Sequence, residues 1–329
     1  MRYKKPILYI NILLIAIIAA DMTIFDQTFS TSLNLLFVYG EDNISPSHLQ
    51  CNTKYPHLFS SALRMAILDS MQNGEILVTD ELKITQAQLD AEIRKSPQQL
   101  QEQLRNNAFF VLEKMAIEKL LAKEARVWAT SKKLNTTKMK EDMLIRNYLQ
   151  DLTADVTVST DEAKQFYQSN LEMFGGASFE AIQAELKKYL LNDKKQSLVE
   201  TYINDLGKHM TIKIDEAWAK SQYAKAIDNP VDKARRSGRP SLIDFGATGC
   251  RPCDLMAPIL EELKKEYAEV INVEFINVRI HQILGERYGV SSIPVQVFFD
   301  KDGREVYRHV GFLPKNKILE HLGEMGVTK

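Results

Sequence analysis

The chain has 329 residues, 45% of them hydrophobic and 26% charged, which suits a globular protein of about two domains. Its 42 Lys and Arg against 43 Asp and Glu give a formal net charge of -1, so overall charge offers no support for nucleic-acid binding. Three cysteines are too few for a disulfide-stapled scaffold.

Residues 1–25 read as a signal peptide or membrane anchor. Arg2, Lys4 and Lys5 precede the uncharged run PILYINILLIAIIAA at 6–20, a basic flank followed by an apolar core. The run is shorter than the ~20 residues that comfortably span a bilayer. It can also extend past Asp21 to Phe25 as an uncleaved anchor. Either way the basic flank stays in the cytoplasm. The rest is expected to be periplasmic or extracytoplasmic, anchored in the inner membrane or secreted.

Residues 26–74 form a poorly defined segment. NISPSH (43–48) and NTKYPH (52–57) carry loop signals. A short helix is predicted from Leu58 to Met71, stopped near Asn73-Gly74. Cys51 stands alone here. It is open to three readings: a buried thiol, an intermolecular bridge, or a partner of a redox pair.

From 75 onward the signals sharpen. ILVTDELKIT (76–85) predicts two short strands around Thr79-Asp80-Glu81, and Thr85 with Gln88 then caps a helix. Ser96-Pro97 breaks that helix from a second. Phe109, Leu112, Ala116 and Leu120 mark one face of a strong helix over 108–128. Further helices are predicted at 136–151, from Ser159 to about Asn170, and from Ser178 to about Gly207. A last strand is placed at Thr211–Ile214. The segments ILVTDELKITQAQLDAEI and VSTDEAKQFYQSNLEMF, with the long return helix, resemble the N-terminal module of the SurA and PrsA periplasmic chaperones over 75–214. In those families a parvulin prolyl isomerase interrupts the module. Here VSTDE follows too soon for one, so no isomerase activity is expected. The resemblance implies a mainly α-helical, polypeptide-binding domain. Residues 215–237 read as a linker, partly helical at its start.

From 238 to 329 strands and helices alternate. The expected order is SLIDFGA (241–247), a helix from Cys253, INVEFINV (271–278) and a helix at 281–289. A hairpin of VQVFFD (295–300) and EVYRHVG (305–311) follows, then a final helix from Pro314. Cys250-Arg251-Pro252-Cys253 sits between a strand and a helix. At a helix N-terminus, unpaired backbone N–H groups and the dipole stabilise a thiolate, and Arg251 adds positive charge. Pro252 has no N–H to lose in the first turn. Cys250 is therefore the expected nucleophile and Cys253 the resolving thiol. A zinc site would need two more ligands, and no His pair stands near the motif in the sequence.

This region resembles thioredoxin, with DFGATGCRPC in place of DFWAxWCGPC. The resemblance implies the α/β thioredoxin fold, a redox-active Cys250–Cys253 disulfide and no other cofactor. It implies that Asp244 is a buried acid relaying a proton to or from Cys253. It also makes Ile293-Pro294 a cis peptide bond, and places Arg251, Pro252, Ile293, Pro294 and Gly311 at the substrate groove. Gly246 and Gly249 depart from the family by replacing both tryptophans, Arg251 replaces Gly, and Phe275 stands where a lysine often accompanies the acid. The family's potential and partner choice are therefore not carried over.

The sequence thus predicts an exported thiol–disulfide oxidoreductase with a chaperone-like module. Its expected partners are unfolded or disulfide-containing proteins, a redox partner protein and, through the N-terminal segment, a membrane. The rival is a non-catalytic binding chaperone that uses the thioredoxin fold as a docking surface.

Overall fold

A computed structural model describes residues 51–328 except 57, 60, 61, 170 and 175. The expected signal or anchor lies outside the described residues, as does the stretch 26–50. Among the described residues no helix is long and apolar enough to cross a membrane.

In chain order the first elements are α1 (Cys51–Lys54), β1 (Ile67–Asp69), β2 (Glu75–Val78), β3 (Lys83–Thr85), α2 (Gln86–Arg94) and α3 (Gln98–Asn106). Then come α4 (Ala108–Ser131), α5 (Glu141–Leu152), α6 (Thr160–Ser169), α7 (Phe179–Lys208), β4 (Lys213–Asp215) and α8 (Glu216–Ala226). The remainder are α9 (Pro230–Arg235), β5 (Ser241–Gly246), α10 (Arg251–Glu266), β6 (Asn272–Asn277), α11 (Gln282–Arg287), β7 (Val295–Phe299), β8 (Glu305–Val310) and α12 (Lys315–Glu324). The described chain falls into two compact units, 51–86 with 112–215 and 87–111 with 216–328.

The first unit is mostly helical. Ala122, Ala125 and Ala129 of α4 recur at helical spacing and pack on Leu144, Ile145 and Leu149 of α5 and on Val199 and Ile203 of α7. The predicted start at Ser159 is a capping box. The Ser159 hydroxyl accepts from the Glu162 N–H, and the Glu162 carboxylate accepts from the Ser159 N–H. Ser178 caps α7 by accepting from Ala181 N–H. A small sheet of order β1-β4-β2-β3 completes the unit, with β1 parallel to β4. Among the described residues, the helix expected from Leu58 to Met71 is instead a 3-10 turn, Ala62–Met65, followed by β1. Local propensity favoured helix there, but Ile67 pairs with Lys213 far along the chain, and that ladder decides. Gly207 of α7 allows close approach to this turn, since a Cβ there would lie 2.5 Å from the Ala62 carbonyl oxygen.

The second unit centres on a sheet of order β6-β5-β7-β8, with β5 and β6 parallel and the other pairs antiparallel. Helices cover both faces, which is why β5 and β7 are buried throughout. On one face Leu242, Val273 and Phe298 meet Met256, Leu260 and Leu263 of α10 and Ile318 and Leu322 of α12. On the other, Ile243, Phe245, Val295, Val297 and Phe299 meet Val231 and Ala234 of α9, and Leu284 and Tyr288. The stretch read as a linker carries two helices, α8 and α9. Asn229 caps α9 by accepting from Asp232 N–H, and Pro230 opens it. Asp232 pairs with Arg287 at 2.7 Å in near-complete burial, and the Tyr288 hydroxyl donates to the same carboxylate at 3.0 Å. That extra bond offsets part of the cost of desolvating both charges. Residues 87–111 belong to this unit as well. The Phe109 ring meets Trp218 edge-on at 4.9 Å, and the Gln103 side chain bonds to backbone at Ile280 and Ile283.

Candidate active site

Sheet register brings four connections to one end of the second sheet. β5 ends at Gly246 and its parallel neighbour β6 ends opposite it, at Asn277. Antiparallel β7 begins at Val295 opposite Phe245, and β8 ends at Val310 opposite Val295. The loop 247–250, the residues after Asn277, Ile293-Pro294 and Gly311 therefore share that end. The Gly311 N–H donates to the Pro294 carbonyl at 2.8 Å. The Ile293-Pro294 bond is cis.

Cys250 is the N-cap of α10, with extended backbone, and Arg251 opens the helix. Its carbonyl accepts the first helical bond, from Asp254 N–H at 2.9 Å. Cys253 lies one turn in, is buried, and is joined to the half-buried Cys250 by a disulfide. Arg251 is exposed beside it. The loop before the motif is tied to the end of β6. Arg279 donates to the Thr248 carbonyl at 2.9 Å, and Asn277 Nδ2 to the Thr248 hydroxyl at 3.3 Å. Gly249 has φ +76, where an L side chain would be strained.

Asp244 lies within β5, fully buried. Burial pushes its carboxyl up to about 6, against the opposing effect of a hydrogen bond from Gln296. Gln296 Nε2 donates to Oδ1 at 2.6 Å. Strand alternation puts Asp244 and Gly246 on the same face, about 7 Å apart. Cys253 packs there, because a Cβ on Gly246 would come within 3.3 Å of its Sγ. The same Cβ would come within 2.8 Å of the Phe275 ring. Phe275, paired in register with Asp244 and 48% exposed, thus supplies an aromatic surface where Gly246 has none.

The structure gathers Cys250, Arg251, Pro252, Cys253, Ile293, Pro294 and Gly311 around one sheet end, with Asp244 beneath. Sequence alone does not point to Gln296, Arg279 or Asn277, which the structure adds to the site. A lone amide in the apolar strand VQVFF was the available signal for Gln296. Among the described residues no group of three or more His, Cys, Asp or Glu side chains is placed to hold a metal ion.

Residues 227–326 match the family model of a thioredoxin-like domain. Thioredoxin of Alicyclobacillus acidocaldarius subsp. acidocaldarius is 34% identical over 98 residues, which are 30% of this chain and 92% of that protein. Chloroplastic thioredoxin Y of Oryza sativa subsp. japonica is 33% identical over 104 residues, 32% of this chain; the match spans 60% of that relative's length. A crystal structure of chloroplastic thioredoxin z aligns with 29% identity and a TM-score of 0.27, covering 29% of this chain and 84% of that one. Through this C-terminal domain the chain belongs to the thioredoxin family.

Proposed function

We propose that the chain is a thiol–disulfide oxidoreductase acting on proteins through Cys250 and Cys253. The observation that carries this reading is the placement of the pair. A half-buried cysteine caps a helix and is disulfide-bonded to a buried one a turn later. In the reduced protein, the Cys250 thiolate attacks a client disulfide and displaces one client thiolate, which takes a proton from water. Cys253 gives its proton to the Asp244 carboxylate and attacks the Cys250 sulfur. The second client thiolate leaves, and two electrons have passed from the dithiol to the client. The reverse sequence oxidises a client dithiol. A redox partner protein restores the starting state.

An extended client segment lies across the sheet end, touching Arg251, Pro252, Ile293, Pro294 and Gly311. The mostly helical first unit, 51–86 with 112–215, holds unfolded client polypeptide, as the resemblance of 75–214 to the SurA and PrsA modules implies. The basic and apolar N-terminal run exports the chain and tethers it to the membrane.

Reduction of insulin and trapping with Cys253→Ala test the central claim. A variant that captures no partner through Cys250 would overturn it. A Cys250→Ser/Cys253→Ser variant that keeps the whole cellular role would favour the docking chaperone instead. The potential of the pair sets the direction: about -270 mV favours reduction and about -120 mV oxidation.

A further inference from the structure

One row of side chains crosses the α10 face of the second sheet. Register places Phe275 of β6, Asp244 of β5, Gln296 of β7 and His309 of β8 side by side. Asp244 and Gln296 are both 0% exposed. A glutamine in a fully buried strand carries a desolvation cost that an apolar residue would avoid. Here it makes a 2.6 Å bond to one oxygen of the carboxyl, Oδ1. The other oxygen, Oδ2, is buried and accepts no hydrogen bond from the described residues.

We propose that Gln296 is a positioning residue for proton transfer at the dithiol: it clamps Asp244 Oδ1 and leaves Oδ2 to take and return the Cys253 proton. This rests on the reading of the pair as a thiol–disulfide exchanger. The chemistry of the clamp is directional. An amide N–H favours the carboxylate over the acid, so it opposes the upward push of burial and keeps the base form accessible near neutral pH. The other titratable groups turned toward this row come from three elements. Cys253 comes from α10. His309, from β8, is held below its ordinary value by burial and its ring bonds the Phe312 carbonyl. His321, from α12, stacks on Tyr307 and pairs with Glu324. Phe275 from β6 is uncharged. Among the described residues none of these groups bonds the Asp244 carboxyl and Gln296 does, so its removal should act on Asp244 directly.

The test uses the full chain with Gln296→Met, which keeps length but has no N–H donor, and Gln296→Leu as a second variant. Asp244 is titrated by carboxyl carbon NMR in aspartate-labelled protein, its signal identified by its loss in Asp244→Asn. Losing a charge-assisted hydrogen bond should raise the Asp244 midpoint by about one pH unit. Single-turnover reduction of insulin by chain pre-reduced with dithiothreitol should move its acid limb up by the same amount, slowing about five-fold at pH 6. The substitution should have no such effect in the Asp244→Asn background. A midpoint that stays or falls in whichever variant folds overturns the proposal, as does an equal rate change without Asp244. The titration is read whether or not the chain exchanges disulfides. A chain inactive at every pH therefore overturns the functional reading, while the titration still decides the assignment of Gln296.

Discussion

The Phe275 ring occupies the space that a side chain on Gly246 would need. A Cβ at Gly246 would stand 2.8 Å from Phe275 Cε2 and 3.3 Å from Cys253 Sγ. The two positions are linked by register, because Phe275 pairs with Asp244 two residues before Gly246. An aromatic residue on β6 and a glycine on β5 are thus two halves of one arrangement beside the disulfide. Gly246→Ala should destabilise the oxidised chain by about 1 kcal/mol, the lower end of overpacking costs, since an exposed ring can yield. Phe275→Ala should relieve most of that cost. Urea denaturation of both single variants and the double variant checks it, and purely additive losses would reject the coupling.

Asp244 should make stability depend on pH with a definite sign. Its carboxyl is raised from the ordinary 3.8 to about 6, chiefly by burial. A group raised in this way binds more protons in the folded state than in the unfolded one. Its contribution is therefore most favourable below about pH 4 and is lost as pH rises to about 6. Two units correspond to roughly 3 kcal/mol at most. Asp244→Asn keeps an acceptor for Gln296 Nε2 and cannot ionise. It should be more stable than the unsubstituted chain by about 2 kcal/mol at pH 7.5, with the difference vanishing near pH 4. An equal difference at both pH values in urea melts would contradict the buried-carboxylate account.

Cys51 should be chemically silent in the folded chain. It is fully buried, and burial pushes its thiol up to about 12. Reaction requires the thiolate and access to it, and both are withheld. After reduction, native protein at pH 8 should react with a thiol reagent first at half-buried Cys250 and more slowly at buried Cys253, with Cys51 unlabelled, and in urea at all three cysteines. Rapid labelling of Cys51 without denaturant would show that the site opens.

Much of the C-terminal domain was legible because its signals are local. The apolar run before Cys250 and the helical spacing after it fix where the motif sits, and the turn at Lys301-Asp302-Gly303 fixes the hairpin. The residues around the thiols were harder to read. Phe275 registers in sequence as a departure from a family lysine, and only strand pairing shows its ring at Gly246. Gln296 looks like ordinary alternation until β7 proves buried on both faces. Local sequence predicts helix where the structure has the 3-10 turn and β1, because the partner strand β4 lies far along the chain. The polar and basic residues of 215–237 look like a linker in sequence, yet Val231 and Ala234 of α9 join the domain core.

Gln103 provides the side-chain cap for α11 from α3. The helix follows His281, whose own side chain makes no cap bond. Gln103 Oε1 accepts from the Ile283 N–H at 3.3 Å, and its Nε2 donates to the Ile280 carbonyl at 2.8 Å. The first of these satisfies an N–H in the opening turn, as a local N-cap side chain would. Ile280 follows Arg279, which holds the Thr248 carbonyl in the loop before Cys250. Gln103→Ala should therefore cost about 1 kcal/mol, the typical worth of a cap. Hydrogen exchange should quicken at Ile283 while amides of β7 keep their protection. Gln103→Glu retains the acceptor and loses the donor, so it should keep Ile283 protected. If Gln103→Ala leaves exchange at Ile283 unchanged, the bond does not cap the helix in solution.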